Sequence, residues 1–189
     1  MYKAIIIFIL FVTTITLSSC SKSETIQQPI LKSEYEHPLK NNNTIMNITS
    51  PAFENESALP ADYTCRGESK IPPLRFIDVP DNTRSLVLII DDPDAPAGTW
   101  VHWIVFNIDP AVSEISQDNQ PQANFGINDY NQLEYGAPCP PSGTHRYFFK
   151  LYALDTKLDL QNGASVNEIV TAMQGHVIEQ TTLIGTVSK

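Results

Sequence analysis

The chain has 189 residues, of which 42% are hydrophobic, and its formal net charge is −9 at pH 7. This length suits one domain with a proper hydrophobic core, and the excess of acidic residues disfavours nucleic acid as a partner and electrostatic docking on anionic lipid. A site for an anionic ligand must therefore depend on individual hydrogen-bond donors that offset the repulsion from the net negative charge of the protein.

The N-terminus predicts a targeting segment. Lys3 supplies a positive charge ahead of the apolar run 4–12, which is too short to span a bilayer as a permanent helix. The run leads to Leu-Ser-Ser-Cys at 17–20, which resembles a bacterial lipobox. We therefore expect residues 1–19 to be a lipoprotein signal peptide, and a lipidated Cys20 to anchor the exported protein at the periplasmic or extracellular face of a bacterial membrane. The alternative is an ordinary secretory signal whose cysteine is incidental.

Residues 20–44 predict a flexible tether between membrane and domain. The segment contains runs of Gln and Asn and few large apolar side chains. It cannot bury enough apolar surface to offset the entropy lost on ordering. The folded domain is therefore expected in residues 45–189.

The first part of the domain predicts β-strands. Short runs rich in Val, Ile, Phe, Tyr and Leu, bounded by turns rich in Pro, Gly and Asn, occur at residues 74–79, 85–91, 100–108 and 146–154. The run 85–90 is apolar at both odd and even positions, as expected of a strand that is covered on both faces. The predicted fold is all-β: a Greek-key sandwich of two antiparallel sheets with short C-terminal helices.

The C-terminal part predicts the helices. The sequence Ser-Val-Asn-Glu at 165–168 has the pattern of a capping box, which marks the start of a helix. Further helical turns are expected at 177–183, followed by a last strand at 184–187. The buried stripe of the first helix is predicted to contain Ile169, Val170 and Met173.

Two separated segments carry the strongest functional signal. The first reads Asp-Asp-Pro-Asp-Ala-Pro at 91–96 with Trp-Val-His at 100–102, and the second reads Pro-Pro-Ser-Gly-Thr-His-Arg-Tyr at 140–147. Each joins a rigid turn to a β-rich run that carries a histidine. Polar groups that enter an apolar core from two separate loops are typical of a pocket for a small molecule.

Strand alternation predicts how these side chains meet. Residues of even number in 100–108 share a face, so Trp100 and His102 are expected to point together and Trp103 to point the opposite way into the core. By the same rule His145 and Tyr147 share a face of the later strand. A pocket with Trp100 and Tyr147 as its floor, the two histidines as donors and Asp92 as acceptor suits a phosphate or carboxylate group.

These blocks resemble the phosphatidylethanolamine-binding protein family, also called Raf kinase inhibitor-like proteins, in its bacterial type. Further similar blocks lie at 63–65, 136–141 and 151–155, so that the resemblance covers roughly residues 45–187. It implies an anion pocket lined by Asp92, His102, Pro140, His145 and Tyr147. Residues 127–134 are more polar and poorer in glycine than the family pattern, which leaves the pocket rim and the ligand size open.

The cysteines and one charged pair complete the structural expectations. With Cys20 assigned to lipid, Cys65 and Cys139 form an even pair in an exported chain, which predicts a disulfide. The alternative is two buried free thiols. Asp94 and Arg146 are expected to form a buried structural ion pair. The sequence predicts no metal site and no cofactor.

We therefore expect non-catalytic binding of a small phosphate- or carboxylate-bearing ligand by a membrane-tethered domain that can act as a regulatory module and does not bind nucleic acid. One alternative is an inhibitor of a protease or kinase that acts through surface loops, such as the long Asn- and Gln-rich loop predicted at 113–135. Another is a hydrolase or metal-dependent enzyme that uses Asp92, His102 and His145. The protein partner is unknown.

Overall fold

A computed structural model describes residues 45–189, so the predicted signal peptide, Cys20 and the tether lie outside the described residues. In the described part the elements are β1 (Asn47–Thr49), β2 (Ser57–Ala58), a 3-10 turn (Ala61–Tyr63), β3 (Leu74–Ile77), β4 (Ser85–Asp92), β5 (Trp100–Ile108), β6 (Glu114–Ile115), β7 (Asn124–Phe125), β8 (Thr144–Leu154), α1 (Val166–Met173) and β9 (Val177–Ser188). Within residues 45–189, no helix has the length and apolar character needed to cross a bilayer.

The strands form two sheets. The smaller sheet has the order β1-β3-β6, and the larger has the order β2-β9-β8-β4-β5-β7. All pairs are antiparallel except β2 with β9, which is parallel. The expectation of a mostly β protein with two sheets is confirmed, whereas the Greek-key connection stays a prediction.

The core has two layers, one on each face of the larger sheet. One layer lies between the sheets and includes Leu86, Leu88 and Ile90 of β4 together with Ile48 and Phe76 of the smaller sheet. The other packs Val87 and Ile89 against Ile169 and Met173 of α1. Every residue of β4 is buried, which confirms the prediction for run 85–90. Each such aliphatic side chain contributes about 1.5–3 kcal/mol of hydrophobic stabilisation.

The helix α1 begins with the predicted capping box. The Ser165 hydroxyl oxygen accepts from the Glu168 backbone N–H, and the Glu168 carboxylate accepts from the Ser165 backbone N–H at 2.8 Å. Ile169 and Met173 are buried, but the expectation for Val170 is wrong, because its side chain is 45% exposed. Ile169 and Met173 are four positions apart and so lie on one face of the helix, whereas Val170 is rotated by about 100° around the helix axis from Ile169.

The predicted helical turns at 177–183 are wrong. The whole segment is strand β9, which pairs with β8 from the Leu154–Val177 pair to the Thr144–Ser188 pair. Gly175, with φ of 79°, follows the end of α1. The β-branched residues beyond it favour a strand, and β8 supplies the hydrogen-bonding edge that stabilises one.

The predicted long loop 113–135 is interrupted by strands. β6 extends the smaller sheet beside β3, and β7 extends the larger sheet beside β5. Both are two residues long, and runs this short carry no alternation pattern that sequence reasoning can detect. The remaining part, 126–136, contributes to the site.

Candidate functional site

A pocket of about 190 Å³ lies where β4 ends and where β5 and β8 begin. The turn after β4 supplies one wall, and the segment before β8 supplies another. The lining residues are Asp92, Ala95, Pro96, Trp100, His102, Tyr130, Cys139, Pro141 and Tyr147. Four of the six predicted ligand-binding residues are therefore brought together: Asp92, Trp100, His102 and Tyr147.

A β-bulge at His102 shapes the floor of the pocket. Trp100 pairs with Asp92 and Trp103 pairs with Ile90, with a register shift between the two pairs. Ile90 and Asp92 point to the same face of β4. Their partners Trp103 and Trp100 therefore also point to the same face of the sheet. The expectation that Trp103 points opposite to Trp100 is therefore wrong, although its place in the core is confirmed by an exposure of 1%.

Asp92 is the acidic group of the pocket, and two donors fix its carboxylate. The Nδ1–H of His145 donates to Oδ2 at 2.7 Å, and the backbone N–H of Asp94 donates to Oδ1 at 2.9 Å. Asp92 and His145 are both buried. The role of His145 as a direct ligand donor stays a prediction. In the structure His145 orients Asp92.

His102 presents one ring nitrogen to the pocket. Its Nδ1–H donates to the carbonyl oxygen of Gly136 at 2.7 Å, which fixes the tautomer because a carbonyl can only accept. Burial lowers the pKa of His102 below its ordinary value of 6.5. The ring is therefore neutral near pH 7, and its Nε2 is an acceptor that becomes a donor on protonation.

Two further polar atoms of the pocket residues have no well-aligned hydrogen bond within the protein. The indole Nε1 of Trp100 and the hydroxyl of Tyr147 are buried without a partner of good hydrogen-bond geometry among residues 45–189, although the Tyr130 hydroxyl lies near Nε1 and the Asp92 carboxylate lies near the Tyr147 hydroxyl. Burial, reinforced by the negative charge of Asp92, raises the pKa of Tyr147, so the hydroxyl remains protonated and able to donate. Buried donors without well-aligned partners are uncommon in proteins, and such donors are available to a ligand or a water molecule.

The disulfide forms part of the pocket wall. Cys65 and Cys139 are joined, with their Cα atoms 5.4 Å apart, which confirms the predicted pair and excludes the free-thiol alternative. The backbone N–H of Cys65 also donates to the Pro138 carbonyl at 3.0 Å. Pro140 is buried but does not line the pocket, whereas its neighbours Cys139 and Pro141 do. The contact of Pro140 with a ligand stays a prediction.

The Asp94–Arg146 pair ties the turn after β4 to the start of β8. The Arg146 guanidinium donates from Nε to Oδ2 at 2.9 Å and from Nη2 to Oδ1 at 2.7 Å. This holds the pKa of Asp94 at about 2. The expected burial is wrong, because the Arg146 side chain is 55% exposed. Arg146 alternates with His145 along β8 and so lies on the opposite face of the sheet.

Sequence reasoning missed the contribution of the loop at 126–136, whose Tyr130 lines the pocket. Tyr130 places its ring edge-on to Trp100 and His102, with centroid distances of 5.3 and 5.6 Å. The side chain of the buried Asn128 organises this loop through hydrogen bonds to its backbone. The Asn-Asp pair that begins the loop is a turn signal that could have indicated a compact structure.

The predicted metal alternative finds no matching geometry in the described part of the chain. Residues 45–189 contain no group of three or more His, Cys, Asp or Glu side chains placed to hold a metal ion. Asp91, next to Asp92 in sequence, points to the other face of β4 and pairs there with Lys150. The pocket thus contains one carboxylate and one neutral imidazole.

The sequence of this chain is similar to those of several known proteins. The family model for phosphatidylethanolamine-binding proteins matches residues 49–188. A UPF0098 protein of Methanothermobacter thermautotrophicus is 48% identical over 147 residues, which cover 74% of this chain and 97% of that protein. A UPF0098 protein of Chlamydia trachomatis is 42% identical over 149 residues, which cover 76% and 99%.

Two solved structures share the fold. A putative phosphatidylethanolamine-binding protein homologue of Chlamydia trachomatis has a TM-score of 0.74 and 42% identity, with 77% of this chain and 98% of that one covered. Escherichia coli YbcL, described as a new member of the mammalian family, has a TM-score of 0.71 and 26% identity, with coverage of 77% and 99%. On the extent of these matches, the chain belongs to the phosphatidylethanolamine-binding protein family.

Proposed function

We propose that the pocket binds a small phosphate- or carboxylate-bearing ligand and does not catalyse a reaction on it. The observation that carries this proposal is the convergence in one pocket of the buried donors of Trp100 and Tyr147, neither of which has a well-aligned partner among residues 45–189, with the acceptor Asp92. An oxyanion that accepts from these donors would satisfy buried groups that otherwise cost free energy.

The charges of the pocket favour one protonation state of the ligand. Among residues 45–189 no Lys or Arg lines it, and the carboxylate of Asp92 opposes a fully ionised dianion. A phosphate monoester in its monoanionic form has both acceptor oxygens and one O–H that can donate to Asp92. A protonated carboxylic acid offers the same combination. The ligand is therefore expected to bind with a proton shared with Asp92.

The lining residues favour binding over covalent chemistry. Cys139 contributes the sole sulfur among them, and that sulfur is held in the disulfide. Ser, Thr and Lys are absent from the lining set. His145 donates to the Asp92 carboxylate, and among the described lining residues no hydroxyl, thiol or amine of Ser, Thr, Cys or Lys lies beside a histidine base.

Affinity for methyl phosphate is expected to rise as the pH is lowered from 8 to 5.5. Protonated His102 adds a donor for the anion, and because burial lowers the pKa of His102, most of the gain should occur below pH 6.5. One charge-assisted hydrogen bond contributes about 1.5–3 kcal/mol, or tenfold or more in affinity. Calorimetric titration at both pH values measures the change.

His102→Gln is the control for this prediction, because a glutamine cannot be protonated in this range. The pH dependence that remains in the variant belongs to the ligand, and the difference from wild type belongs to His102. Absence of binding at both pH values would contradict the proposed function. Binding that requires an added divalent metal would favour the metal-dependent alternative.

We also propose that the domain is exported and tethered to a membrane through Cys20. The proposal is supported by the lipobox-like residues 17–20 and by the disulfide, which is typical of oxidising compartments. Cell fractionation with detergent phase partitioning should place the wild-type protein in the detergent phase and Cys20→Ala in the aqueous phase. A wild-type protein that partitions like the variant would show that Cys20 is not lipidated.

A further inference from the structure

We infer that Tyr130 sets the upper size limit of the ligand and restricts the pocket to phosphate monoesters and carboxylic acids with small substituents. This inference rests on the proposed function of the same pocket. Tyr130 lies outside the two segments 91–102 and 140–147 that carried the functional signal in the sequence, in a loop between β7 and β8.

The ring of Tyr130 forms one wall of the pocket. It contacts Trp100 and His102 edge-on, and the residue is 40% exposed to solvent. The remaining volume is about 190 Å³. This equals roughly six water molecules and lies below the range of about 300–1,000 Å³ that is usual for ligand pockets.

Gly136 provides the space in which the ring lies. A Cβ atom at this position would lie 2.5 Å from Cε2 and 2.6 Å from Cδ2 of Tyr130. Gly136 cannot retreat, because its backbone N–H donates to the His102 carbonyl and its own carbonyl accepts from the His102 ring. Any side chain at 136 would therefore displace the Tyr130 ring.

Asn128 holds the loop so that the ring keeps its position. Its Oδ1 accepts from the backbone N–H groups of Tyr130 and Gln132, both at 3.0 Å. Its Nδ2 donates to the carbonyl oxygens of His102 at 3.0 Å and Glu134 at 2.8 Å. The loop is thus attached directly to the strand that carries His102, and Tyr130 acts as a fixed wall of the pocket.

The size limit follows from this rigid arrangement. A ligand whose phosphate or carboxylate approaches Asp92 has its substituent beside the Tyr130 ring, which is in contact with Trp100. A methyl group is expected to fit beside these rings as they stand, whereas a phenyl ring that extends towards Trp100 requires the Tyr130 ring to move. Removal of the Tyr130 ring would both enlarge the cavity and expose the face of Trp100 to an aromatic substituent.

The test compares methyl phosphate with phenyl phosphate by calorimetry at pH 5.5. Wild type should bind methyl phosphate about tenfold or more tightly than phenyl phosphate, because overpacking is strongly unfavourable. Tyr130→Ala and Gly136→Ala should each bring the two affinities within about threefold. Tyr130→Phe retains the ring and should keep the wild-type ratio. Leu133→Ala, in the same loop but lining a separate cavity, should keep it as well.

The outcomes separate the two proposals. If wild type binds methyl phosphate but Tyr130→Ala and Gly136→Ala both keep the wild-type ratio, Tyr130 does not set the limit and the proposed function stands. The same conclusion holds if Tyr130→Phe changes the ratio as much as Tyr130→Ala does. If none of the five proteins binds either phosphate, the proposed function is wrong and this inference falls with it. Gly136→Ala provides an independent route should Tyr130→Ala fail to fold.

Discussion

Reduction of the Cys65–Cys139 disulfide is expected to lower the free energy of unfolding by about 4 kcal/mol. The two cysteines are 74 residues apart in sequence, so the crosslink restricts a large part of the unfolded chain. In the chain-entropy description this restriction raises the free energy of the unfolded state, and its loss on reduction removes that stabilisation. Denaturant unfolding with and without a reductant measures the difference.

A double variant, Cys65→Ser with Cys139→Ser, is the matched control. It should unfold at the same denaturant concentration as the reduced wild type and should not respond to reductant. Binding of methyl phosphate should also weaken in both, because Cys139 lines the pocket. Equal stability of oxidised and reduced wild type would show that the crosslink does not restrict the unfolded chain as described.

Replacement of Asn128 by Ala is expected to lower the free energy of unfolding by roughly 2–4 kcal/mol. The side chain is 4% exposed, and its four hydrogen bonds satisfy both its amide oxygen and its amide nitrogen. Alanine leaves the N–H groups of Tyr130 and Gln132 without these acceptors and opens space below the loop. Water can reach part of the loop, which keeps the expected loss below the sum of four buried bonds.

Two variants test the mechanism at Asn128. Asn128→Asp retains the acceptor oxygen but replaces the donor nitrogen with an oxygen that faces the carbonyls of His102 and Glu134, so it should also destabilise. Asn131→Gly is the control in the same loop, because Asn131 has φ of 58°, which glycine adopts without strain. It should leave stability nearly unchanged. Thermal unfolding that is equal in wild type and Asn128→Ala would contradict the role of this side chain.

Much of the fold could be predicted from local patterns. The buried strand β4 follows from a run that is apolar at every position, and the start of α1 follows from a capping box within four residues. The disulfide was expected from an even pair of cysteines in a chain that the sequence predicts to be exported. Each of these features depends on a few consecutive residues or on the number of cysteines. Both can be read from one sequence without knowledge of the tertiary structure.

Other features depend on partners that are distant in sequence. Strand β9 forms because β8 offers it an edge, and the sequence at 177–183 alone did not distinguish a strand from helical turns. The bulge at His102 inverted the expected direction of Trp103, since alternation holds only where pairing is regular. The exposure of Arg146 likewise follows from the face of the sheet that remains uncovered at the end of β8.

For the candidate site, the sequence by itself determined which chemical groups meet: an aspartate after one strand, and an aromatic residue with a histidine on each of two others. The tertiary structure decided how each is used. His145 holds the Asp92 carboxylate, Cys139 and Pro141 line the pocket on either side of Pro140, and Tyr130 adds a wall from a loop between β7 and β8. The physical reason is that motifs specify residue types along one chain, whereas lining and covering depend on packing between loops whose positions are fixed by long-range hydrogen bonds.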